Sequence, residues 1–225
     1  MNRNIFRHEY KYLIDIFQYK ILKSRLQFLP KDPHCKKTGY YTVRSLYLED
    51  ILGNSKFEKD SGILNRNKFR FRTYNNSTEF ILLENKAKVG DLIHKKSLKI
   101  TKELTTDLIT DRNLLNATLK KEFPDLKYEI SQKFYSPKVI IEYKREAYAT
   151  LDQNNLRINF DKLINSTIDT SLFFKSSTPQ KLITNSQNIV LEIKYTHYIP
   201  DHIKFLLSSL ESSRISFSKY ANSIQ

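Results

Sequence analysis

Glycine is scarce in this chain, with four residues among 225. A Walker loop or a dinucleotide-binding fingerprint needs several glycines at fixed spacing, because the backbone must approach the phosphates closely. Neither pattern occurs in the sequence. If this protein binds phosphates, it has to bind them with side chains rather than with a glycine-rich backbone loop.

Cysteine and long apolar runs are also missing. Cys35 is the single cysteine, which excludes an intrachain disulfide and a cysteine-based zinc cluster. No run of about 18 apolar residues occurs, so no transmembrane helix is predicted. The opening residues, MNRNIFRHEY, contain no apolar signal-peptide core, and a cytoplasmic location is therefore expected.

Positive charge is abundant. The chain has 38 Lys and Arg residues against 24 Asp and Glu residues, a formal net charge of +14. Such an excess attracts polyanions, of which nucleic acid, acidic membranes and polyphosphate-type ligands are the main classes. A hydrophobic content of 40% predicts a folded core, and the length predicts one domain over residues 1–225.

Segments typical of β-strands dominate the sequence, because β-branched and aromatic residues recur with a period of two. Eight are predicted, at 5–14, 40–48, 67–74, 79–88, 93–100, 138–149, 156–161 and 189–197. Helices are predicted over 16–29, with Asp15 as the cap, over 111–123, and after Pro200. The Ser-, Thr- and Asn-rich stretch 164–188 is predicted to be a long, mobile connection. The fold class that follows is α+β, an eight-stranded antiparallel β-barrel with peripheral helices.

The stretch NRNKFRFRTY, residues 65–74, places cations and aromatic rings on opposite faces of one strand. Lys68, Arg70 and Arg72 alternate with Phe69 and Phe71. The alternation of polar and apolar residues recurs in other strands, in the sets Glu9 and Lys11; Ser45, Tyr47 and Glu49; Glu84, Lys86 and Lys88; Arg157, Asn159 and Asp161; Glu192 and Lys194. In an ordinary antiparallel sheet such faces are the solvent face. Helices that cover the apolar faces would instead put the charged faces inside the barrel.

A charged barrel interior would need compensation. Two like charges about 4 Å apart repel by about 4 kcal/mol at an effective dielectric constant of 20. The interior must therefore be wet, contain carboxylates among the cations, or hold an anion. Carboxylates beside lysines also fit Mg²⁺ or Mn²⁺, since these ions prefer oxygen ligands and bridge to phosphates.

Eight short motifs resemble those of a known family and occur in its order, from about residue 6 to 221. They are RHEYKYLI, VRSLYLED, NKFRFRTY, LENKAK, VIIEYKREAY, LRINFD, VLEIKY and SFSKY. The family is the VTC domain, the polyphosphate polymerase branch of the CYTH-like triphosphate tunnel metalloenzymes. The resemblance implies an eight-stranded antiparallel tunnel that binds a nucleoside triphosphate, triphosphate or polyphosphate. It also implies Mg²⁺ or Mn²⁺ as the cofactor, and either hydrolysis or transfer of the terminal phosphoryl group.

The resemblance also implies roles for individual residues. The phosphate-binding residues would be Lys11, Arg70, Arg72, Lys86, Arg145, Arg157 and Lys219. Glu192 would bind the metal, together with Glu9 or Asp161, and Lys219 would lie near one mouth of the tunnel. Glu192, Lys194 and Lys219 would be the catalytic residues.

The chain departs from the family pattern at two positions and in its surroundings. Arg7 stands where the wider superfamily has an acidic residue, and Glu49 stands where Asp is usual. Eukaryotic relatives also carry membrane spans and partner modules, so a membrane-protein partner is one expectation. The oligomeric state is left open.

Three alternatives to a polymerase remain at this point. A triphosphate hydrolase would use water as the acceptor. A non-catalytic sensor of polyphosphate or inositol phosphates would keep the basic residues and need no metal. A single-stranded RNA binder would explain the net charge, but its aromatic residues would have to be exposed for base stacking. The tyrosines and phenylalanines here fall on apolar strand faces or helix stripes, so no specific nucleic-acid binding is expected.

Overall fold

The computed structural model describes residues 6–35, 38–150, 155–175, 181–184, 187–208 and 214–224. Its β-strands form one antiparallel sheet in the order β1-β9-β7-β6-β2-β3-β4-β5, and the short strand β8 pairs with β7. The strands are β1 (His8–Ile14), β2 (Tyr41–Glu49), β3 (Arg66–Tyr74), β4 (Ile81–Val89), β5 (Leu92–Ile100), β6 (Ser136–Ala149), β7 (Arg157–Thr167), β8 (Lys181–Leu182) and β9 (Ile189–Tyr195).

The sheet curls so that its two edge strands approach each other. Arg7, beside β1, and Ile93, in β5, exchange two backbone hydrogen bonds of 3.1 and 2.9 Å. Eight long antiparallel strands thus form a curled, barrel-like sheet, and the predicted α+β fold class is confirmed. All eight strands predicted from the sequence are present, with ends displaced by a few residues.

Within the described residues, seven α-helices surround or enter this sheet. They are α1 (Ile16–Arg25), α2 (Asn54–Asp60), α3 (Lys102–Thr110), α4 (Arg112–Glu122), α5 (Lys127–Lys133), α6 (Asp201–Leu207) and α7 (Lys219–Ser223). The Asp15 carboxylate caps α1 as predicted, by accepting from the backbone N–H groups of Phe17 and Gln18. No helix among the described residues is both long and apolar enough to cross a bilayer.

Two apolar clusters lie on the outer surface of the sheet, beneath helices. In the first, Phe69 and Phe71 of β3 pack with Leu115 and Leu119 of α4 and Ile130 of α5. The second cluster joins side chains of β7 and β9 to α1 and α6 and contains Leu22, Ile158, Phe160, Leu191, Ile193 and Ile203. The apolar strand faces are therefore covered by helices, which leaves the opposite faces to line the inside of the curl.

The inside of the curl is not charged throughout. A third cluster contains inward-facing side chains of β2, β6 and β9, among them Val43, Val139, Ile141 and Val190. Tyr220 of α7 belongs to the same cluster, and α7 contacts β6 and β7. This short helix therefore lies within the curl and fills the side of the interior that is apolar.

The prediction of a long mobile connection over 164–188 was wrong for its first part. Strand β7 continues to Thr167, past a left-handed residue at Leu163 with a φ of 50°. A 3₁₀ helix follows over Thr170–Phe174, and Phe173 is buried in the cluster beneath α4. Phe173, together with Leu172 and Phe174 packed against the same cluster, anchors this part of the segment, and the polar composition of the stretch does not reveal those contacts. Residues 176–180 and 185–186 lie outside the described residues.

We expect Phe69→Ala to lower the free energy of unfolding by about 3–5 kcal/mol, because it opens a cavity beneath the helices. Phe69 is fully buried, and its ring contacts Phe123 and Tyr135 at centroid distances of 5.2 and 4.9 Å. Urea unfolding measures the change.

The matched control is Phe17→Ala, since that side chain is 72% exposed on α1. Its effect should stay within about 0.5 kcal/mol. Equal losses for the two variants would contradict the placement of β3's aromatic face beneath the helices.

Candidate functional site

A cavity of about 390 Å³ opens on the charged side of the curled sheet. Of the described residues that line it, twelve are lysines or arginines and three are carboxylates. The basic residues are Lys11, Lys59, Arg66, Lys68, Arg70, Arg72, Lys86, Lys88, Arg145, Lys194, Arg214 and Lys219. The acidic ones are Glu9, Asp91 and Glu192. The positive charges therefore converge on one space instead of pointing into bulk solvent.

Glu84 of β4 lies behind the cavity wall and contacts the two arginines of β3. Its Oε2 accepts from Nε of Arg70 at 2.7 Å and lies 3.6 Å from Nη1 of Arg72. Its Oε1 accepts from Lys95 at 2.7 Å. Burial raises the pKa of the Glu84 carboxyl, but Arg70, Arg72 and Lys95 outweigh burial and hold it well below the ordinary value. Glu84 is therefore charged and keeps the arginines in place.

Strand β2 supports the same two arginines from the other side. The Ser45 hydroxyl accepts from Nε of Arg72 at 3.0 Å, and the Tyr47 hydroxyl accepts from Nη1 of Arg70 at 3.0 Å. These contacts follow from the strand register, which pairs Ser45 with Arg72 and Tyr47 with Arg70. Each guanidinium is thus oriented by a hydrogen-bond acceptor on a neighbouring strand.

Glu192 of β9 is the centre of a second ion-pair cluster. Its Oε2 contacts Lys194 at 2.6 Å and Arg145 at 3.0 Å, and its Oε1 contacts Lys219 at 2.8 Å. Burial lowers the pKa of Lys194 to about 7, although Glu192 opposes that shift. Burial also disfavours the charge on Lys219, but Asp161 and Glu192 outweigh it and raise the pKa of Lys219.

Glu9 of β1 forms a third, smaller cluster with two lysines. Its two carboxylate oxygens accept from Lys86 at 3.0 and 2.8 Å, and Oε1 lies 3.3 Å from the ammonium of Lys11. Glu9 and Glu192 lie on adjacent strands, because the register pairs Lys11 with Glu192 and Glu9 with Lys194. Both glutamates face the cavity.

The VTC domain family matches residues 6–225, nearly the whole chain. The chain belongs to the VTC domain family. No curated protein matches it. Among solved structures, a protein from Bacillus halodurans, provisionally assigned as an adenylate cyclase, aligns over 97% of this chain and 96% of its own, with a TM-score of 0.52 and 14% identity. That similarity concerns the fold alone. The PH1819 protein from Pyrococcus horikoshii OT3 aligns over 95% of this chain and 93% of its own at 12% identity, with a lower TM-score of 0.46.

The structure of this VTC domain brings most of the predicted site residues together. Nine of them line the cavity, namely Glu9, Lys11, Arg70, Arg72, Lys86, Arg145, Glu192, Lys194 and Lys219. Lys219 was expected near one mouth of the tunnel, but α7 carries it into the interior, where 7% of the residue is exposed. There its ammonium contacts Asp161 at 2.6 Å as well as Glu192.

Two predicted residues are not part of the cavity lining. Asp161 is fully buried behind it, and its oxygens accept from Nε and Nη2 of Arg145 at 2.6 and 2.7 Å. Arg157 points elsewhere, and its Nη2 contacts Asp32 at 2.5 Å. Arg157, Asn159 and Asp161 lie on one face of the strand, as the alternation predicts. Which of them reaches the cavity depends on position along the strand, and the alternation does not reveal that.

Several lining residues were not assigned a role from the sequence. Lys68 and Lys88 had a usable signal, since they share strand faces with Arg70 and with Lys86. Tyr47 had a weaker sequence signal, because it shares a strand face with Ser45 and Glu49. Lys59 of α2 and Arg214 reach the cavity from outside the sheet, and no local pattern in the sequence indicates that.

The segment 214–220 completes the cavity wall beside β1. The backbone N–H of Ile215 donates to the Lys11 carbonyl at 2.9 Å, and the Lys11 ammonium donates to the Phe217 carbonyl at 2.8 Å. The Lys68 ammonium donates to the Ser218 hydroxyl at 3.3 Å. The C-terminal segment thus lies along the free edge of β1 before α7 enters the interior.

The carboxylates on the cavity wall of this VTC domain are the residues that could hold a divalent ion. No group of three or more His, Cys, Asp or Glu side chains among the described residues forms a complete metal site. Glu9 and Glu192, however, supply hard oxygen donors on the cavity wall. Mg²⁺ is commonly held by one or two carboxylates plus substrate phosphates, which matches this pair. Asp161 does not fit, because it is fully buried behind the wall and is not part of the cavity lining.

The affinity for tripolyphosphate should fall as the pH rises through the pKa of Lys68. Burial lowers the pKa of Lys68 to about 8, with a further contribution from Lys11. Below that pH the ammonium is charged and attracts phosphate, and above it binding requires uptake of a proton. Loss of this one charge should weaken binding by about tenfold between about pH 7 and pH 9, as measured by calorimetry.

Lys68→Arg keeps its charge over this range and should lose less affinity. Lys20→Arg, at an exposed position on α1, is the matched control. Ionisation of the ligand is common to all three proteins and cancels in the comparison. Equal pH dependences for the wild type and Lys68→Arg would contradict this role of Lys68.

Proposed function

We propose that this VTC domain is a metal-dependent phosphotransferase that moves the terminal phosphoryl group of a nucleoside triphosphate to a polyphosphate chain. The observation that carries the proposal is the excess of cationic over anionic side chains on one enclosed cavity wall. A polyanion of high charge density would neutralise this excess, whereas a singly charged ligand would not.

Arg70, Arg72, Lys86 and Arg145 are the residues we assign to the phosphate chain. Arginine suits this role, because its fork of N–H donors matches two phosphate oxygens at once. Arg70 and Arg72 are oriented by Glu84 and by β2, so little reorganisation is needed when an anion enters. Lys11, Lys194 and Lys219 add further positive charge to the cavity lining.

Glu9 and Glu192 are the residues we assign to the metal. A bound Mg²⁺ or Mn²⁺ would neutralise charge on the phosphate oxygens as the phosphoryl group leaves. These two glutamates are now paired with lysines and Arg145, and a phosphate chain offers those cations new partners. Binding of the nucleotide and binding of the metal would therefore support each other.

The transfer requires little covalent chemistry from the protein. A terminal oxygen of the polyphosphate chain attacks the γ-phosphorus, and the bond from that phosphorus to the β–γ bridging oxygen breaks. The nucleoside diphosphate leaves with the electron pair of that bond. The arginines and lysines of the cavity position both chains and stabilise the charge that shifts to the leaving oxygen. With water in place of the acceptor chain, the same site would be a hydrolase.

Incubation of the purified protein with ATP and Mn²⁺ should produce long polyphosphate, which gel electrophoresis detects. One nucleoside diphosphate should form for each phosphoryl group transferred. Chelation of the metal should abolish the product. Release of free orthophosphate instead would identify a hydrolase. Tight binding of tripolyphosphate without turnover would identify a non-catalytic module, and salt-sensitive RNA binding unaffected by tripolyphosphate would reject all three.

Arg70→Ala and Arg72→Ala should each weaken tripolyphosphate binding by about 10- to 100-fold, because each loses charge-assisted hydrogen bonds to phosphate. Arg70→Lys keeps the charge but not the fork, and it should also weaken binding. Calorimetry gives the affinities, and thermal unfolding verifies that each variant is folded.

Arg25→Ala is the matched control, since Arg25 is exposed at the end of α1. It should bind tripolyphosphate like the wild type. Normal binding by both cavity variants would exclude the arginines of β3 from the site.

A further inference from the structure

Tyr47 occupies an unusual position among the residues of the cavity wall. Its hydroxyl accepts a hydrogen bond from Nη1 of Arg70 at 3.0 Å, while the ring lies 5.4 Å from that of Tyr220. Tyr220 is itself anchored, because its hydroxyl donates to Glu49. Tyr47 is buried, with an exposed fraction of 8%, yet it is part of the cavity lining.

The Tyr47 hydroxyl donates its hydrogen to no acceptor among the described residues. Arginine has no acceptor, so in the contact with Arg70 the tyrosine oxygen must be the acceptor. Within the part of the chain that the structure describes, the hydroxyl donates to no other group. A buried donor normally has a partner, and Tyr47 is one of the residues that line the cavity.

We propose that the Tyr47 hydroxyl donates a hydrogen bond to an oxygen of the bound phosphate chain, while its own oxygen holds the guanidinium of Arg70 in place. This inference rests on the proposed function, since it assumes that the cavity binds phosphates. It adds a neutral donor to a site whose other assigned ligands are charged. Tyr47 is then both a substrate-binding residue and a positioning residue for Arg70.

The charged groups around Tyr47 lower the pKa of its hydroxyl. Burial raises the pKa of the phenol, but Arg70, Arg72 and Lys219 outweigh burial and lower it to about 8. The titratable and charged groups around the Tyr47–Arg70 pair are Glu49, Lys68, Arg72, Glu84, Tyr143, Lys219 and Tyr220. Above this pH Tyr47 loses its donor and gains a negative charge, so it repels phosphate.

Tyr47→Phe is the decisive variant, because it removes the hydroxyl and keeps the ring. It is made in the Lys68→Arg background, so that the titration of Lys68 does not contribute. At about pH 7 we expect the double variant to bind tripolyphosphate about tenfold more weakly than Lys68→Arg alone does. This is the effect of losing one hydrogen bond to a charged group. At about pH 9 the difference should shrink, because the parent has by then lost the same donor. A purely structural role would give a deficit that does not change with pH.

The absorbance of tyrosinate in the unmutated chain gives a second measurement that needs no variant. One tyrosine should ionise near pH 8, and tripolyphosphate should move that transition to higher pH, because a phosphate anion favours the protonated donor. Tyr128→Phe, at a position 78% exposed on α5, is the matched control and should change neither binding nor this transition.

The outcomes separate this inference from the proposed function. If the unmutated chain does not bind tripolyphosphate, the proposed function is wrong. If it binds but Tyr47→Phe shows the same affinity or a deficit independent of pH, the hydrogen bond from Tyr47 is refuted while the proposed function stands. A tyrosinate transition that tripolyphosphate leaves unmoved would refute that hydrogen bond even if the variant failed to fold.

Discussion

The constraint on which the rest of this structure depends is the concentration of positive charge inside a folded domain. Uncompensated cations in a protein interior are strongly unfavourable, because burial removes their hydration and neighbouring like charges repel. The fold meets this constraint with a few buried carboxylates, each shared among several cations. Glu84 contacts Arg70, Arg72 and Lys95, and Glu192 contacts Arg145, Lys194 and Lys219.

The same constraint explains the inverted arrangement of the sheet. Apolar side chains on the outer face pack beneath α1 and α6 on one side and beneath α3, α4 and α5 on the other, so the hydrophobic core is divided into layers outside the curl. The interior is then free to be polar. Where β2, β6 and β9 present apolar residues inward, α7 enters and covers them. The remaining part of the interior forms the charged cavity.

The sequence was sufficient for the strands and for their inward faces, because both depend on a period of two that is visible along the chain. Phe69 and Phe71 alternate with Lys68, Arg70 and Arg72, and the structure puts the two sets on opposite faces of β3. The sequence was not sufficient for features set by distant contacts. Helix α7 has five residues, which are too few to show a helical period, and it is stabilised by contacts of Tyr220 and Lys219 with β2, β7 and β9. Arg157 shows the same limit, since its contact with Asp32 comes from a segment 125 residues away.

The sharing of carboxylates would also allow a stable domain to exchange the polyanion that we propose as its ligand. If each buried carboxylate had a single cationic partner, a phosphate chain that recruited that cation would leave the carboxylate unpaired, at a cost of several kcal/mol. With Lys95 and Ser97 as further partners, Glu84 would remain paired if Arg70 turned part of its fork to the proposed anion. Asp161 likewise retains Arg145 when Lys219 moves. The network could therefore redistribute its hydrogen bonds between carboxylates and the proposed phosphates without leaving an isolated buried charge.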